Sequence, residues 1–294
     1  MKAVVTGSAG FCGRHVVRVL EDAGYDVTGV DRGGGGVAEF AETDGRYDLV
    51  VHCAAFLGGR EAIESPLAHA VNLETDAMMF RWAERTRPGR LVYFSSVAAY
   101  PAYLQYHGGR RLREDDIDFR WGGLTGAPHR LGMPDQLYGW AKLSGEYMAT
   151  RLACPAAVVR PFTVYGAGQG GAYPFGNILG QVLGQADPVT VWGSGRQVRD
   201  WIHVSDVAAA VLACAREGFS GPLNLCTGRG VALGEMALMA AREAGYSPAL
   251  GLLRDKPEGL PYRVGDPGRL EGICPPKVSL EEGIRRCLEA ARDI

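Results

Sequence analysis

The chain has 294 residues, a formal net charge of −2 and a hydrophobic content of 47%. This length accommodates two lobes with a large core, and the near-neutral charge argues against a nucleic-acid-binding protein. The arginines of the strip Arg110–Arg113 are followed at once by Glu114, Asp115 and Asp116. We therefore interpret this strip as a solvated loop, with contact to an anionic sugar as the alternative.

The spacing of the cysteines and the length of the apolar segments indicate the cellular compartment of the protein. Seven cysteines are scattered at positions 12, 53, 154, 214, 226, 274 and 287, without the paired spacing of a zinc site or a disulfide framework. Met1 and Lys2 run directly into the first predicted strand, and no apolar run reaches membrane-spanning length. We expect a cytoplasmic protein with no signal peptide, no metal, and no membrane or nucleic-acid partner.

The first predicted strand, Ala3–Thr6, leads into a glycine turn and then into a helical pattern. Gly7 permits a tight turn, Gly10 lets backbone N–H groups approach a pyrophosphate, and Gly13 lets the helix pack closely on the sheet. Phe11 and Cys12 lie at the start of the helix and belong to the same predicted cofactor site. The Cys12 sulfur is expected to pack, with reactivity as a minor alternative.

A second predicted strand, Val27–Val30, ends in Asp31. An acidic side chain at this place accepts the 2′-hydroxyl of an adenosine ribose and repels a 2′-phosphate, which favours NAD over NADP. Arg32 leaves NADP open, because a guanidinium beside the acid can pair with a phosphate.

Two further apolar strands end in residues suited to a ligand site. The strand within Tyr47–Ala55 ends in small residues, and Ala54 and Ala55 leave room for a flat cofactor ring. The strand within Arg90–Ser96 delivers a hydroxyl at its carboxyl end, where ligands bind in a doubly wound sheet. Ser96 is thus a candidate to bind a substrate hydroxyl, with a strand-end turn serine as the alternative.

Tyr138 and Lys142 are four residues apart in a predicted helix, so they share one face. A phenol must lose roughly 3 pKa units to act as a base near pH 7, and an ammonium about 4 Å away supplies about that energy. The spacing therefore predicts a phenol made acidic by its neighbouring lysine. A surface Tyr and Lys on an ordinary helix is the alternative.

Strands alternate with helices up to about Arg160, and Gly- and Pro-rich segments follow Pro161. We predict an α/β fold: a doubly wound parallel-sheet Rossmann domain with a smaller, interleaved C-terminal substrate lobe. The predicted NAD-binding domain comprises residues 1–161 and about 200–226, and the substrate lobe comprises residues 162–199 and 227–294.

Taken in order with His52–Ala55, Asn72, Ser95, Arg160, Pro161 and Arg199–Val204, these motifs resemble an extended short-chain dehydrogenase/reductase of the nucleotide-sugar epimerase/dehydratase group. The resemblance covers nearly the whole chain. It implies a catalytic triad of Ser96, Tyr138 and Lys142, with Tyr138 as base and acid and Lys142 also holding the nicotinamide ribose.

The resemblance also assigns binding residues and a partner. It implies additional NAD contacts at Asn72, Ser95 and Pro161, and nucleotide-diphosphate-sugar contacts at Asn177, Val191, Trp192 and Arg199. For Arg199 the alternative is a salt bridge with Asp200 or a neighbour, and for Trp192 it is packing in the core or between lobes. The helices at 68–85 and 138–152 resemble those of a four-helix homodimer contact.

Several positions depart from the family pattern or lie outside it. Only a short stretch separates Asp31 from the strand at Asp48, where the family usually has two helices and a third strand with an acidic adenine contact. We therefore name no adenine-binding residue and expect cofactor binding to be weaker or differently organised. His52 and His203 are interpreted as structural, while His107, His129 and the segment Leu57–Arg60 are candidates to border the sugar pocket.

The two residues after Ser96 narrow the reaction. Dehydratases of this family have an acidic pair there, because removing water requires an acid and a base, whereas this chain has Val97 and Ala98. A C4 epimerase that works through a transient 4-keto-sugar needs one base and one hydride acceptor, and it is our leading hypothesis. A keto-sugar reductase using NAD(P)H is the first alternative, and a catalytically silent NAD-binding regulator is the second.

Overall fold

The computed structural model describes residues 1–32, 36–58, 64–106, 108–119 and 133–292. Its twelve strands within these ranges are β1 Lys2–Thr6, β2 Asp26–Val30, β3 Leu49–His52, β4 Leu91–Phe94, β5 Ala156–Pro161, β6 Thr163–Tyr165, β7 Val189–Trp192, β8 Val198–His203, β9 Gly221–Leu225, β10 Gly230–Ala232, β11 Leu250–Leu253 and β12 Tyr262–Arg263. The helices in the same ranges are α1 Phe11–Asp22, α2 Gly36–Ala41, α3 Pro66–Thr86, α4 Leu137–Ala149, α5 Pro174–Leu183, α6 Val204–Arg216, α7 Leu233–Glu243, α8 Gly268–Glu271 and α9 Leu280–Arg292.

Six strands form one parallel sheet in the order β2-β1-β3-β4-β5-β9. The central strands are continuous apolar runs because helices cover both faces. Val5, Val51 and Val92 pack in one cluster with α1 and α6, while Val4 and Val50 pack in another with α3. The predicted doubly wound α/β fold is confirmed.

The sheet ends at β2, on the side where a dinucleotide-binding sheet of strand order 3-2-1-4-5-6 continues with a third strand. Between β2 and β3 the described residues form only α2 and its flanking turns. The ring of Phe40 in α2 packs on Trp82 of α3 with 4.9 Å between centroids, and Trp82 Nε1 donates to the Thr43 carbonyl at 2.9 Å. The short connection between β2 and β3 is thus anchored to α3.

The C-terminal part builds a second core around smaller sheets. β8 pairs with β6, β10 and β12, and β7 pairs with β11. The second core contains Tyr165, Phe175, Trp201, Met236 and Ile284. In β8, Trp201 packs in this core whereas Ile202 packs in the core of the large sheet. The chain then returns to the large sheet through α6 and β9.

This topology bears on the proposed lobe boundaries. We expected the segment from Trp201 onward to rejoin the first lobe, yet β8 is paired within the smaller sheet and spans both cores. The division of the chain near residues 161, 200 and 226 stays a prediction. None of the helices in the described ranges combines the length and the apolar character needed to cross a bilayer.

Candidate active site

The turn between β1 and α1 requires glycine for steric reasons. Gly7 has a φ of +68°, and a Cβ added there would meet the Ala54 backbone at 2.9 Å. A Cβ added at Gly13 would lie 1.9 Å from the Gly7 carbonyl oxygen. The backbones of β1, α1 and the end of β3 therefore approach more closely than side chains would permit.

The N-terminus of α1 is open to an anion. Gly10 is the N-cap and provides no side chain to accept from the first-turn N–H groups, and the first turn of α1, which contains Phe11 and Cys12, has no acidic residue. Such a helix end binds a pyrophosphate, so this cradle fits a dinucleotide. Cys12 lies partly buried beside the cradle, and burial raises the pKa of its thiol to about 12. The protonated thiol agrees with a packing role.

Asp31 and Arg32 follow β2 and do not pair with each other through their side chains. The Asp31 carboxylate accepts from the backbone N–H groups of Ala9 and Arg32, both at 2.8 Å. The Arg32 guanidinium lies 4.9 Å from the centroid of the Phe56 ring. Arg32 is thus held over an aromatic face at the ribose end of the predicted cofactor site.

Asn72 and the strand-end alanines shape the loop after β3. The Asn72 side chain accepts from Phe56 N at 2.6 Å and donates to Phe56 O at 3.1 Å. Both polar groups of this buried amide are therefore used to hold the loop. Ala54 N donates to Thr6 Oγ1 at 3.2 Å, and Ala54 and Ala55 stay partly exposed beside Gly7.

The structure brings Ser96, Tyr138 and Lys142 together. The Ser96 side chain lies close enough to the Tyr138 hydroxyl to lower the pKa of the phenol, and the Ser96 Oγ accepts from Ala98 N at 3.1 Å. Lys142 is buried, and its Nζ lies 6.0 Å from the centroid of the Tyr138 ring. Gly139 permits this approach, since a Cβ there would lie 2.2 Å from the Ala98 carbonyl oxygen.

The electrostatics of Tyr138 differ from the sequence prediction. Burial, the Asp76 carboxylate and, to a smaller extent, Tyr173 and Cys12 raise the pKa of Tyr138, while the hydrogen bond with Ser96 lowers it. Lys142 Nζ lies 3.9 Å from Asp76 Oδ1 and donates to the Tyr93 hydroxyl at 3.4 Å. The predicted acidic phenol is therefore wrong for the protein's own groups, because burial raises the pKa of Tyr138 and the Asp76 carboxylate balances the lysine.

Asp76 is a site residue that sequence reasoning missed. In α3 the residues Asn72, Asp76, Met79, Phe80 and Ala83 are buried along one helical face. Carboxylates are almost never fully buried without a partner, so an aspartate at this spacing on an apolar face was a detectable signal. The contact between Asp76 and Lys142 could not be predicted from local spacing, because the two residues are 66 positions apart in the chain.

Ser95 and Pro161 are buried at the ends of β4 and β5. The buried Ser95 hydroxyl donates to Glu146 of α4, which also forms an ion pair with Arg160 at 2.7 Å. Pro161 is buried at the end of β5. Neither the Ser95 side chain nor the carboxylate of Glu146 is free, so both fix α4 against β4 and β5.

Three of the residues predicted to contact the nucleotide sugar differ in exposure: Asn177 and Trp192 are exposed, whereas Val191 is buried. Asn177 is exposed in α5, where its Oδ1 accepts from Gln181 at 2.9 Å, and Trp192 has 46% of its surface exposed. The Val191 side chain is buried in the second core, so a substrate contact from this position is restricted to the backbone.

Arg199 is half-buried near Arg263, Asp135 and Glu258. Within the described part of the chain it makes no ion pair, and its guanidinium donates to the Val198 carbonyl at 2.8 Å. The Asp200 carboxylate instead accepts from the N–H groups of Thr227, Gly228 and Gly265. Burial and the nearby Arg263 lower the pKa of Arg199 to about 9. The alternative of an Arg199–Asp200 salt bridge is wrong.

The histidine expectations divide in two. His52 Nδ1 is hydrogen-bonded to Thr6 Oγ1 at 2.6 Å, and His203 Nδ1 accepts from Ser205 N at 3.3 Å at the start of α6. Both are structural, as predicted. His107, His129, Gly59 and Arg60 lie outside the described residues.

Known proteins match this chain along most of its length. The model of the NAD dependent epimerase/dehydratase family matches residues 3–226. A dTDP-4-dehydro-6-deoxy-D-allose reductase of a Streptomyces species is 28% identical over 96% of this chain and 94% of its own. A UDP-glucose 4-epimerase of Azospirillum brasilense is 27% identical over 99% of this chain and 94% of its own. The structure of a Thermus thermophilus UDP-glucose 4-epimerase in complex with NAD superposes with a TM-score of 0.80 at 25% identity, covering 99% of each chain.

Replacing Gly13 with alanine tests the cradle. The added Cβ would lie 1.9 Å from the Gly7 carbonyl oxygen, so the turn must move away from the helix end. We expect Gly13→Ala to weaken NAD binding by about tenfold or more, which is about 1.4 kcal/mol, as measured by isothermal titration calorimetry. Gly180→Ala is the matched control, because a Cβ there meets nothing within 4 Å. Unchanged NAD affinity in a folded Gly13→Ala protein would contradict the assignment.

Proposed function

This chain belongs to the NAD dependent epimerase/dehydratase family, and from that we propose that it epimerises a nucleotide-diphosphate sugar at C4 through a transient 4-keto-sugar. The observation that carries the proposal is that Ser96 and Tyr138 lie together beside buried Lys142. Ser96 is followed in the chain by Val97 and Ala98, two buried side chains that cannot transfer a proton.

The proposed chemistry needs one base that works in both directions. Tyr138 takes the proton of the C4 hydroxyl as the C4–H bond breaks, and it returns the proton to the oxygen when the carbonyl is reduced on its other face. Ser96 hydrogen-bonds the same oxygen and Lys142 supplies positive charge beside the phenol. NAD supplies the hydride acceptor and, once reduced, the hydride donor, so no net oxidation occurs.

The proposed NAD contacts follow from the geometry of the turn and the strand ends. The backbone from Gly7 to Gly13 and the open end of α1 would hold the pyrophosphate, with Phe11 and Cys12 in the first turn. Asp31 would accept from a ribose hydroxyl, and Arg32 would border the same ribose. Ala54, Ala55 and Pro161 would surround the rings, while Asn72 and Ser95 act through the loop and the helix that they hold.

The proposed substrate contacts lie in the second lobe. A guanidinium without a carboxylate partner is suited to bidentate pairing with a diphosphate, and Arg199 is such a group among the described residues. Exposed Asn177 and Trp192 are available to the nucleotide, and Val191 would contribute its backbone.

A second candidate is a keto-sugar reductase that consumes NAD(P)H. It uses the same three residues, and a reductase from Streptomyces is among the curated relatives at 28% identity over 96% of the chain. A 4,6-dehydratase is disfavoured by the buried Val97 and Ala98 where an acidic pair is required. A catalytically silent regulator is disfavoured because the three catalytic candidates are assembled.

Cofactor stoichiometry separates the two enzymatic candidates. We expect the purified protein, incubated with a panel of nucleotide sugars without added cofactor, to invert one stereocentre, as followed by NMR. Inversion without cofactor consumption supports the epimerase. Turnover that requires one NAD(P)H per sugar would overturn the epimerase and establish the reductase, and no reaction with any sugar or keto-sugar would reject both.

Tyr138→Phe removes the proposed base and leaves the ring in place. Loss of general acid–base catalysis costs on the order of 10² to 10⁴-fold in rate, so we expect turnover to fall by that factor while NAD affinity stays nearly the same. Tyr147→Phe on the same helix is the control, since Tyr147 is 43% exposed. Steady-state kinetics and calorimetry measure the two quantities, and turnover retained by Tyr138→Phe would exclude the base.

We further propose a cytoplasmic homodimer that buries α3 and α4. Between these helices lies a mainly apolar groove of about 540 Å³, lined by Leu73, Phe80, Met148 and Leu152 among others. Leu73 and Met148 are 37% and 47% exposed, which favours burial against a second copy of these helices. The seven free cysteines agree with a reducing compartment.

Sedimentation velocity at micromolar concentration tests the homodimer. We expect a dimer for the wild-type protein and a monomer for the double variant Leu73→Arg with Met148→Arg, because two buried charges would face their symmetry mates. Leu183→Arg on α5 is the control, since Leu183 is also exposed, at 44%, but lies outside the groove. A wild-type protein that sediments as a monomer would refute this contact.

A further inference from the structure

A buried polar cluster lies beside Lys142 and joins α3 and α4 to the strands β1, β3 and β4 of the large sheet. Asp76 of α3 accepts from the Tyr93 hydroxyl of β4 at 2.5 Å and lies 3.0 Å from His52 Nε2 of β3. His52 Nδ1 is bonded in turn to Thr6 Oγ1 at the end of β1. Asp76 is 4% exposed and Lys142 is 1% exposed, so the cluster is shielded from solvent.

We propose that Asp76 is a positioning residue that holds the Lys142 ammonium and sets the pH at which Tyr138 becomes a base. This inference rests on the proposed role of Tyr138, and it adds a residue to which no role follows from the resemblance. The carboxylate acts through Lys142 and through its charge, without touching the substrate.

The packing shows that α4 is built to reach Asp76. Lys142 Nζ lies over the Tyr93 ring at 4.8 Å from the centroid and 3.9 Å from Asp76 Oδ1. Gly145, one turn further along α4, faces the same groups: a Cβ there would lie 2.0 Å from the Tyr93 hydroxyl and 2.7 Å from Asp76 Oδ2. A side chain at 145 would therefore push α4, and Lys142 with it, away from the carboxylate.

Asp76 is ionised in this environment. Burial opposes ionisation, but Lys142, His52 and the hydrogen bond from Tyr93 outweigh it and hold the pKa of Asp76 below its ordinary value. A buried ammonium without a partner is costly, so the aspartate and the lysine stabilise each other's charged forms.

The same negative charge acts on Tyr138. The groups that face Asp76 are His52 from β3, Tyr93 from β4 and Lys142 from α4.

The groups that face Tyr138 are Asp76 from α3, Cys12 from α1, Tyr173 at the start of α5, Ser96 after β4 and Lys142 on its own helix. Burial and Asp76 oppose the phenolate, whereas Lys142 favours it. Tyr138 therefore stays protonated until further positive charge arrives, and the oxidised nicotinamide ring of bound NAD carries such a charge.

Removing the charge of Asp76 tests the proposal. Protein labelled with ¹³C at the tyrosine ζ carbon and saturated with NAD is titrated by NMR, and the Tyr138 signal is assigned by its absence in Tyr138→Phe. In Asp76→Asn we expect the ionisation midpoint of Tyr138 to fall by about one pH unit, the order expected for one charge at an effective dielectric of about 20. The acidic limb of the kcat profile is expected to shift to lower pH by the same amount.

Two variants separate charge from structure. Glu74→Gln makes the same charge change at an exposed position of α3, and we expect its midpoint to stay at the wild-type value. Tyr93→Phe keeps the Asp76 charge and removes the hydrogen bond that disperses it, so we expect the midpoint of Tyr138 to rise. A folded Asp76→Asn with an unchanged midpoint would overturn the proposal. If Asp76→Asn does not fold, a midpoint in Tyr93→Phe that falls or stays the same would overturn it.

The NMR titration does not depend on the identity of the sugar. A shifted midpoint in a protein that turns over no nucleotide sugar would reject the proposed function and retain the role of Asp76. Normal turnover with unshifted midpoints would reject the role of Asp76 and retain the function.

Discussion

The buried ammonium of Lys142 is the constraint on which the arrangement of this site depends. A cation that is 1% exposed requires a partner, and Asp76 provides it at 3.9 Å. Because Asp76 is on α3, Lys142 on α4, and Tyr93 and His52 on neighbouring strands, the charge balance fixes both helices against the sheet. Tyr138 and Lys142 of α4 therefore have a defined position before any ligand binds.

A second buried ion pair fixes the same helix one turn further on. Glu146 of α4 pairs with Arg160 of β5 through two hydrogen bonds, and Arg160 also donates to the Tyr100 hydroxyl at 2.9 Å. Lys142 and Glu146 are four residues apart, so one face of α4 is held by opposite charges at two points. This dense polar packing leaves Tyr138 little freedom to move relative to Ser96.

Local patterns were sufficient to predict the sheet and the glycine turn, because each depends on strand ends or on spacing within a few residues. The meeting of Ser96 with Tyr138, which are 42 residues apart in the chain, followed from the family resemblance. The electrostatics of the site could not be predicted in this way. The pKa of Tyr138 depends on Asp76, which comes from another helix, and the pocket of Arg199 depends on Arg263, which is 64 residues away in the chain. The predicted substrate contact of the Val191 side chain is not met, because a position in a family motif does not show which way a strand residue faces and this side chain lies in the second core.

Whether the proposed enzyme is an epimerase or a reductase depends on how firmly the adenosine end of the site would hold the cofactor. Both reactions use the same tyrosine, so they differ in whether the reduced cofactor stays bound while the keto-sugar turns over. The sheet lacks a strand beyond β2 in the described residues, which removes one usual cover of the adenosine. The cover that exists here is Arg32 over Phe56, with the Phe56 backbone held by Asn72. Arg14 of α1 also contacts the second lobe, because its guanidinium donates to the carbonyls of Ala167 and Gly168. In the proposed epimerase these contacts would help to hold the cofactor while the keto-sugar turns over, whereas the proposed reductase would exchange its cofactor after each turnover.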